Sequence, residues 1–309
     1  DRFQDRFAAQ RATGERQVAE HKVYISQGVP EWRDYAQQTL HRLQLETQAD
    51  ILYLDVFGTD DRARCFNKDA GHTHVPTWVA EDDREFLDAL RQALPDEVVL
   101  WGEFPVPDVA SQYWDGFLSY DCIPLHSYMA EALDQLEIAP QWSDGTFPLN
   151  VFRFVFPHLR QIVFPVGTEG DISNWRYLKF LLFNGQGLFD TTWRLYDDAC
   201  RQNLGRVLRL QKTYADCFDS LTPETLVQTS RDRVFANGFP GEKRTLWTLF
   251  NGRYHSVKGE ILRLPHQPGC RYRDVWNDQD LNPRIDRGKA VIEVPIPPQG
   301  VGCILQTTP

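Results

Sequence analysis

The sequence predicts an α/β chain in two parts, a parallel βα series followed by an antiparallel β-sandwich. Three observations predict it. Apolar runs of strand length alternate with helical stripes as far as about residue 222. Several of those runs end in a carboxylate, as Ile51-Leu52-Tyr53-Leu54-Asp55 does. From Pro223 onward, short alternating strands follow one another with turn residues between them. Domains over 1–222 and 223–309 are expected on this pattern.

The elements read in order as follows. Lys22-Val23-Tyr24-Ile25-Ser26 reads as a short strand after a polar, charged start. From Glu31 to Gln48 the residues Trp32, Tyr35, Ala36, Leu40 and Leu43 recur at helical steps, and Pro30 suits the helix start. Ile51–Leu54 is a strand, bulky on both faces, and Asp55 stands at its end. A long polar loop, 59–80, carries Cys65, Asn67, Asp69, His72 and His74. A helix over 81–94 has acids in its first turn, where the helix dipole favours them. Val98–Glu103 and Gly116–Asp121 are two more strands that end in acids. A long insertion over 122–160, a strand at 161–165, a helix at 174–183, a short strand ending at Asp190 and a helix at 196–218 complete the first part. The sandwich strands are expected near 234, 244–250, 254–257, 259–264, 270–276, 290–294 and 302–306.

Totals exclude several classes. A net charge of −10 opposes a nucleic-acid surface and an anionic membrane surface. No apolar run approaches a membrane span. The start Asp1-Arg2-Phe3-Gln4-Asp5 has neither Met nor a signal-peptide pattern, which reads as a processed chain or a fragment. Six cysteines form no CxxC pair, so no zinc site is expected, and they read as buried free thiols. They leave the compartment open, with a secreted or periplasmic setting slightly favoured over a cytoplasmic one. No phosphate-binding glycine loop and no nucleophile elbow are present, and no cofactor is expected.

The chemistry lies in the acids. In a parallel sheet the strand C-termini open on one side, and neighbouring strands lie about 4.8 Å apart. Asp55, Glu103 and Asp121 end successive strands. Two such acids can approach the separation of about 5–5.5 Å that a retaining glycosidase needs, one as nucleophile and one as acid and then base. Trp101 lies two before Glu103, on its face of the strand. Trp101, His72, His74 and Asp190 are candidate substrate contacts. His72, His74 and Asp69 are the weaker, metal-binding alternative. Aromatic residues make up 13% of the chain, which suits sugar-stacking rings and a packed core alike.

The run Tyr53-Leu54-Asp55-Val56-Phe57-Gly58, then Trp101-Gly102-Glu103, then a sandwich closing with Pro297-Pro298-Gln299-Gly300-Val301-Gly302, resembles glycoside hydrolases built as a (β/α)₈ TIM barrel plus sandwich. The endo-α-N-acetylgalactosaminidase-like and α-amylase-like groups show the nearest pattern. The resemblance implies Asp55 as nucleophile, Glu103 as acid/base and Lys22–Ser26 as the third barrel strand. It implies a carbohydrate substrate with an α linkage. An α-galactosidase-like plan would instead make Asp121 the acid, and a catalytically silent carbohydrate-binding barrel is the alternative from another class. Six strands are counted where a barrel needs eight. The first strands are then missing, and an upstream segment or a partner chain would complete the barrel.

Overall fold

The computed structural model describes residues 7–19, 22–55, 64–103, 108–119, 149–163, 175–189 and 196–309. They belong to two compact units, Asp1–Ser119 and Tyr120–Pro309.

The first unit begins with an antiparallel hairpin, Val18–Ala19 (β1) against Lys22–Val23 (β2). This corrects the expected third barrel strand at 22–26. The stretch satisfies its backbone locally: Tyr24 N–H donates to Gln17 O and Ala9 N–H to Tyr24 O. Helix α1 (Pro30–Thr47) starts on its proline and ends at Gln48, whose φ of 51° is left-handed. Its apolar stripe is not a core face, since none of its residues is buried.

The parallel series then appears. Ile51–Leu54 (β3) pairs parallel with Val99–Gly102 (β6), which pairs parallel with Gly116–Ser119 (β7). Between them lie a small antiparallel pair, Arg64–Cys65 (β4) with Thr77–Trp78 (β5), and helix α2 (Val79–Ala93). Leu52 and Leu100 are buried at matched register, and Phe86, Leu87 and Leu90 are buried on α2.

Arg91 fastens α2 to the sheet. Its guanidinium donates to Val98 O at 2.7 Å and Tyr113 O at 2.8 Å, and it pairs with Asp115. Asp115 also accepts from Leu100 N–H at 2.8 Å. Asp115 is thus a structural acid that sets the entry to β7. Arg91→Ala is expected to cost about 2–3 kcal/mol, because it leaves two carbonyls and a carboxylate without their donor. Urea denaturation checks this, and an unchanged midpoint would remove the clamp.

In the second unit, helix α3 (Val151–Val155) leads to Arg160–Val163 (β8), which pairs parallel with Gly187–Leu188 (β9) across helix α4 (Trp175–Asn184). Helix α5 (Asp198–Thr213) is capped by Asp197, whose carboxylate accepts from Cys200 N–H at 2.6 Å. The expected helix over 196–218 is broken at Tyr214, and a short helix α6 (Ala215–Phe218) follows.

The antiparallel part holds a five-stranded sheet and a three-stranded sheet. The first orders Val234–Pro240 (β10), Arg244–Asn251 (β11), Val301–Thr307 (β17), Arg271–Asp274 (β13) and Gln279–Leu281 (β14). The second orders Glu260–Pro265 (β12), Lys289–Glu293 (β16) and Arg284–Asp286 (β15). The expected strand at 254–257 is reduced to a single bridge, Val257 to Ile296. Two strands, β14 and β15, were not expected, because neither carries an apolar alternation.

Strand β11 shows why its run is apolar throughout. Leu246 and Phe250 join a cluster with Phe180, Leu181 and Phe183 of α4. Trp247 and Leu249, on the other face, join Ile261, Leu262, Ala290 and Ile292 between the sheets. The five-stranded sheet is therefore buried on both faces, with helices on one side and the small sheet on the other. Asn237 and Thr248, both fully buried, donate to Phe183 O at 2.9 and 2.8 Å. They satisfy a carbonyl of the last turn of α4, which the helix itself leaves open. Lys179 is 2% exposed, yet its ammonium donates to Gln299 O at 2.8 Å and lies 4.9 Å from the Phe250 ring.

The cysteines bear out the reading as free thiols where they are described. Cys65, Cys200, Cys217 and Cys303 are buried and free, and Cys270 is free and partly exposed. Cys122 lies outside the described residues.

Candidate functional site

Register builds the site. Tyr53 lies opposite Trp101 and Leu54 opposite Gly102 across β3 and β6. Asp55 and Glu103 each follow the last paired residue, so two carboxylates leave neighbouring parallel strands side by side. Side chains two apart share a face, which groups Tyr53 with Asp55 and Trp101 with Glu103. That face is open: Ile51 is 54% and Tyr53 44% exposed, while Leu52 between them is buried.

A phenol joins the acids. The Tyr53 hydroxyl is hydrogen-bonded to the Asp55 carboxylate. Burial, then the charges of Glu103 and Asp55, push its ionisation well above the usual tyrosine range. Tyr53 therefore stays a proton donor at the acid pair. The opposite face is filled by Trp114, 2% exposed, whose ring would stand 3.2 Å from any Cβ added at Gly102. This explains glycine between Trp101 and Glu103.

The two loop histidines have separate surroundings. The His72 side chain is 1% exposed, with Nδ1 3.3 Å from Asp82 Oδ1 but off the line of a hydrogen bond. Its Nε2 lies 3.3 Å from Ser26 Oγ, and that hydroxyl donates to Asp82 Oδ2 at 3.1 Å. Thr77 Oγ1 adds a contact to Asp82 Oδ1 at 3.4 Å. Cys65 shares a hydrogen bond with the His72 ring and accepts from the backbone N–H groups of Asn67 and Gln10. Burial opposes a charge on His72, yet the adjacent Asp82 carboxylate and Cys65 outweigh it and raise the imidazole to about 9. Burial likewise opposes a thiolate at Cys65, and its bonds to His72 and the two backbone amides bring the thiol below its ordinary value.

His74 is exposed, with Nε2 3.2 Å from Glu81 Oε2 and Nδ1 2.9 Å from Pro76 O. Asp69 is exposed on a 3₁₀ turn. The structure does not bring His72, His74 and Asp69 together. Among the described residues no three His, Cys, Asp or Glu side chains gather as a metal group would. Asp121 and Asp190 lie outside the described residues.

Sequence reasoning missed Tyr53 and Asp82. Tyr53 had a signal, since it precedes Asp55 by the same two residues that separate Trp101 from Glu103. Asp82 read only as one of the dipole-favoured acids in the first turn of a helix, and it is 5% exposed.

No protein-family profile matches the chain, and no curated protein matches it. Solved structures do. An α-amylase from Anoxybacillus matches with a TM-score of 0.53 and 13% identity, over 99% of this chain and 71% of that one. The galactosidase domain of an α-galactosidase–sucrose kinase matches at 0.62 and 13%, over 99% of this chain and 41% of that one. A GH36 α-galactosidase from Geobacillus stearothermophilus matches at 0.56 and 10%, over 99% and 42%. The chain therefore shares the fold of these solved structures, a mixed α/β chain with parallel strands and an antiparallel β part.

Proposed function

We propose that the chain is a retaining O-glycoside hydrolase that cleaves an α-linked glycan, with Asp55 as nucleophile and Glu103 as acid/base. The observation that supports this reading is the register of β3 with β6, which ends with Leu54 opposite Gly102, one residue before Asp55 and Glu103. Neighbouring parallel strands about 4.8 Å apart match the carboxyl spacing of about 5–5.5 Å that a covalent mechanism needs. An inverting enzyme needs a wider gap, to admit water.

In this mechanism Asp55 attacks the anomeric carbon while Glu103 protonates the departing oxygen. A glycosyl ester forms on Asp55, and Glu103 then takes a proton from the water that hydrolyses it. Tyr53 donates its hydrogen bond to the Asp55 carboxylate and orients it for attack. Trp101, beside Glu103, walls the sugar site. Asp121 in place of Glu103 is the α-galactosidase-like variant of the same chemistry. In this reading 1–222 is the catalytic domain and 223–309 the sandwich domain. A secreted or periplasmic setting suits such a substrate.

A 2-fluoro glycosyl fluoride panel of α and β configuration tests the reading. Such probes slow hydrolysis of the ester, so mass spectrometry of a digest is expected to find the sugar on the peptide holding Asp55. A label on another carboxylate, or a product anomer inverted from the substrate, rejects the assignment.

A further inference from the structure

The antiparallel part carries a second site of a different kind. A cavity of about 510 Å³ opens between the β12–β13 connection and the β14–β15 turn. That is the size of a small-molecule site. Its floor is fixed: Tyr272 is 4% exposed, its hydroxyl lies 3.0 Å from His266 Nδ1, and the two rings stack with centroids 6.0 Å apart. The Tyr272 hydroxyl is also in hydrogen-bond contact with the Cys270 sulfur, which helps it keep its proton.

One wall is apolar and formed by Leu281, Pro283 and Ile285, and Ile285 is 45% exposed. The polar lining divides in two. Asp280 is already paired with Arg273, which neutralises it. Arg271 and Asn282 also line the cavity, and neither side chain makes a hydrogen bond or ion pair among the described residues. What remains for a ligand is one uncommitted guanidinium, one uncommitted amide and an apolar wall. A sugar ring offers an apolar face and hydroxyls. A guanidinium fork matches a carboxylate with two parallel hydrogen bonds.

We propose that this cavity binds a sugar carboxylate, a hexuronate residue, with its carboxylate on Arg271, a hydroxyl on Asn282 and its apolar face against Pro283 and Ile285. The site does not depend on the hydrolase reading, and hydrolysis is no part of its readout.

Cys270 reports on occupancy, because it lines the cavity and is the partly exposed thiol among the described cysteines. Sodium glucuronate and methyl glucoside serve as the charged and neutral probes. Glucuronate is expected to slow alkylation of Cys270 by iodoacetamide, followed by mass spectrometry of the intact digest. Calorimetry is expected to show binding weakened about tenfold in Arg271→Gln and weakened by added salt. Arg271 is an exposed side chain, so Arg271→Gln keeps the fold, and an unchanged Tm verifies that. Equal protection by methyl glucoside, no protection by glucuronate, or undiminished affinity in Arg271→Gln each overturns the proposal.

Discussion

Replacing Asp55 by Asn is expected to lower kcat for glycoside hydrolysis by about 10³-fold or more, with no loss of stability. The side chain keeps its shape and still offers an oxygen to the Tyr53 hydroxyl. It loses the negative charge that the proposed attack on the anomeric carbon requires. Asp55 is exposed at the end of β3, so its removal uncovers no core. The partner variant sharpens the test. Glu103→Gln removes the proposed proton donor, and a donor matters in proportion to how poorly the leaving group departs. With a nitrophenyl glycoside the first step is expected to survive, and the covalent ester to accumulate for want of a base. With an unactivated disaccharide the loss is expected to reach about 10²–10⁴-fold. Asp121→Asn, measured beside them, separates the two acid assignments. An Asp55→Asn enzyme with full activity removes the nucleophile role, and a leaving-group response in Asp121→Asn alone moves the acid role to that residue.

The proposed acid pair comes from a local rule in the sequence. An apolar run that ends in a carboxylate puts that carboxylate at a strand end, and two such strands in parallel bring their acids together. The register that aligns Asp55 with Glu103 was not legible, since it depends on which strands pair. The same gap explains the error at Lys22–Val23. The apolar residues of the expected strand, Val23, Tyr24 and Ile25, suit a strand in any sheet, and only tertiary structure decides that Val18–Ala19 is the partner. Strands β14 and β15 escaped for the opposite reason. Gln279-Asp280-Leu281 and Arg284-Ile285-Asp286 are polar edge pieces, held by pairing to β13 and β16 and not by an apolar pattern. Helix α1 kept its stripe but not its burial, because periodicity states which side is apolar and not what lies against it.

Gly28→Ala is expected to destabilise the first unit by about 3 kcal/mol, an unusual cost for adding one methyl group. A Cβ at that position would lie 2.3 Å from Asp82 Oδ1 and 2.5 Å from His72 Nδ1. Neither group can withdraw cheaply. Asp82 holds Ser26 and Thr77, and the His72 side chain is 1% exposed. The methyl would separate a buried imidazolium from its carboxylate and leave each uncompensated. His72→Ala strips Asp82 of the same charge, so the two substitutions act on one interaction and their costs are expected to fall well short of additive. Chemical denaturation of both variants and the double variant measures this; additive costs reject the shared pair. The pH dependence gives a separate reading of the same pair. The folded state holds His72 at about 9, above the ordinary value of 6.5. Its contribution is complete below pH 6.5, and is lost as the pH rises through about 9. The lowered thiol of Cys65 acts in the other direction, since its contribution is lost as pH falls through its folded value. With the larger shift on the imidazole, stability is expected to drop by about 2 kcal/mol between neutral and alkaline pH in the wild type. In His72→Ala that drop is expected to vanish, and an identical alkaline slope in both proteins would place the titrating group elsewhere.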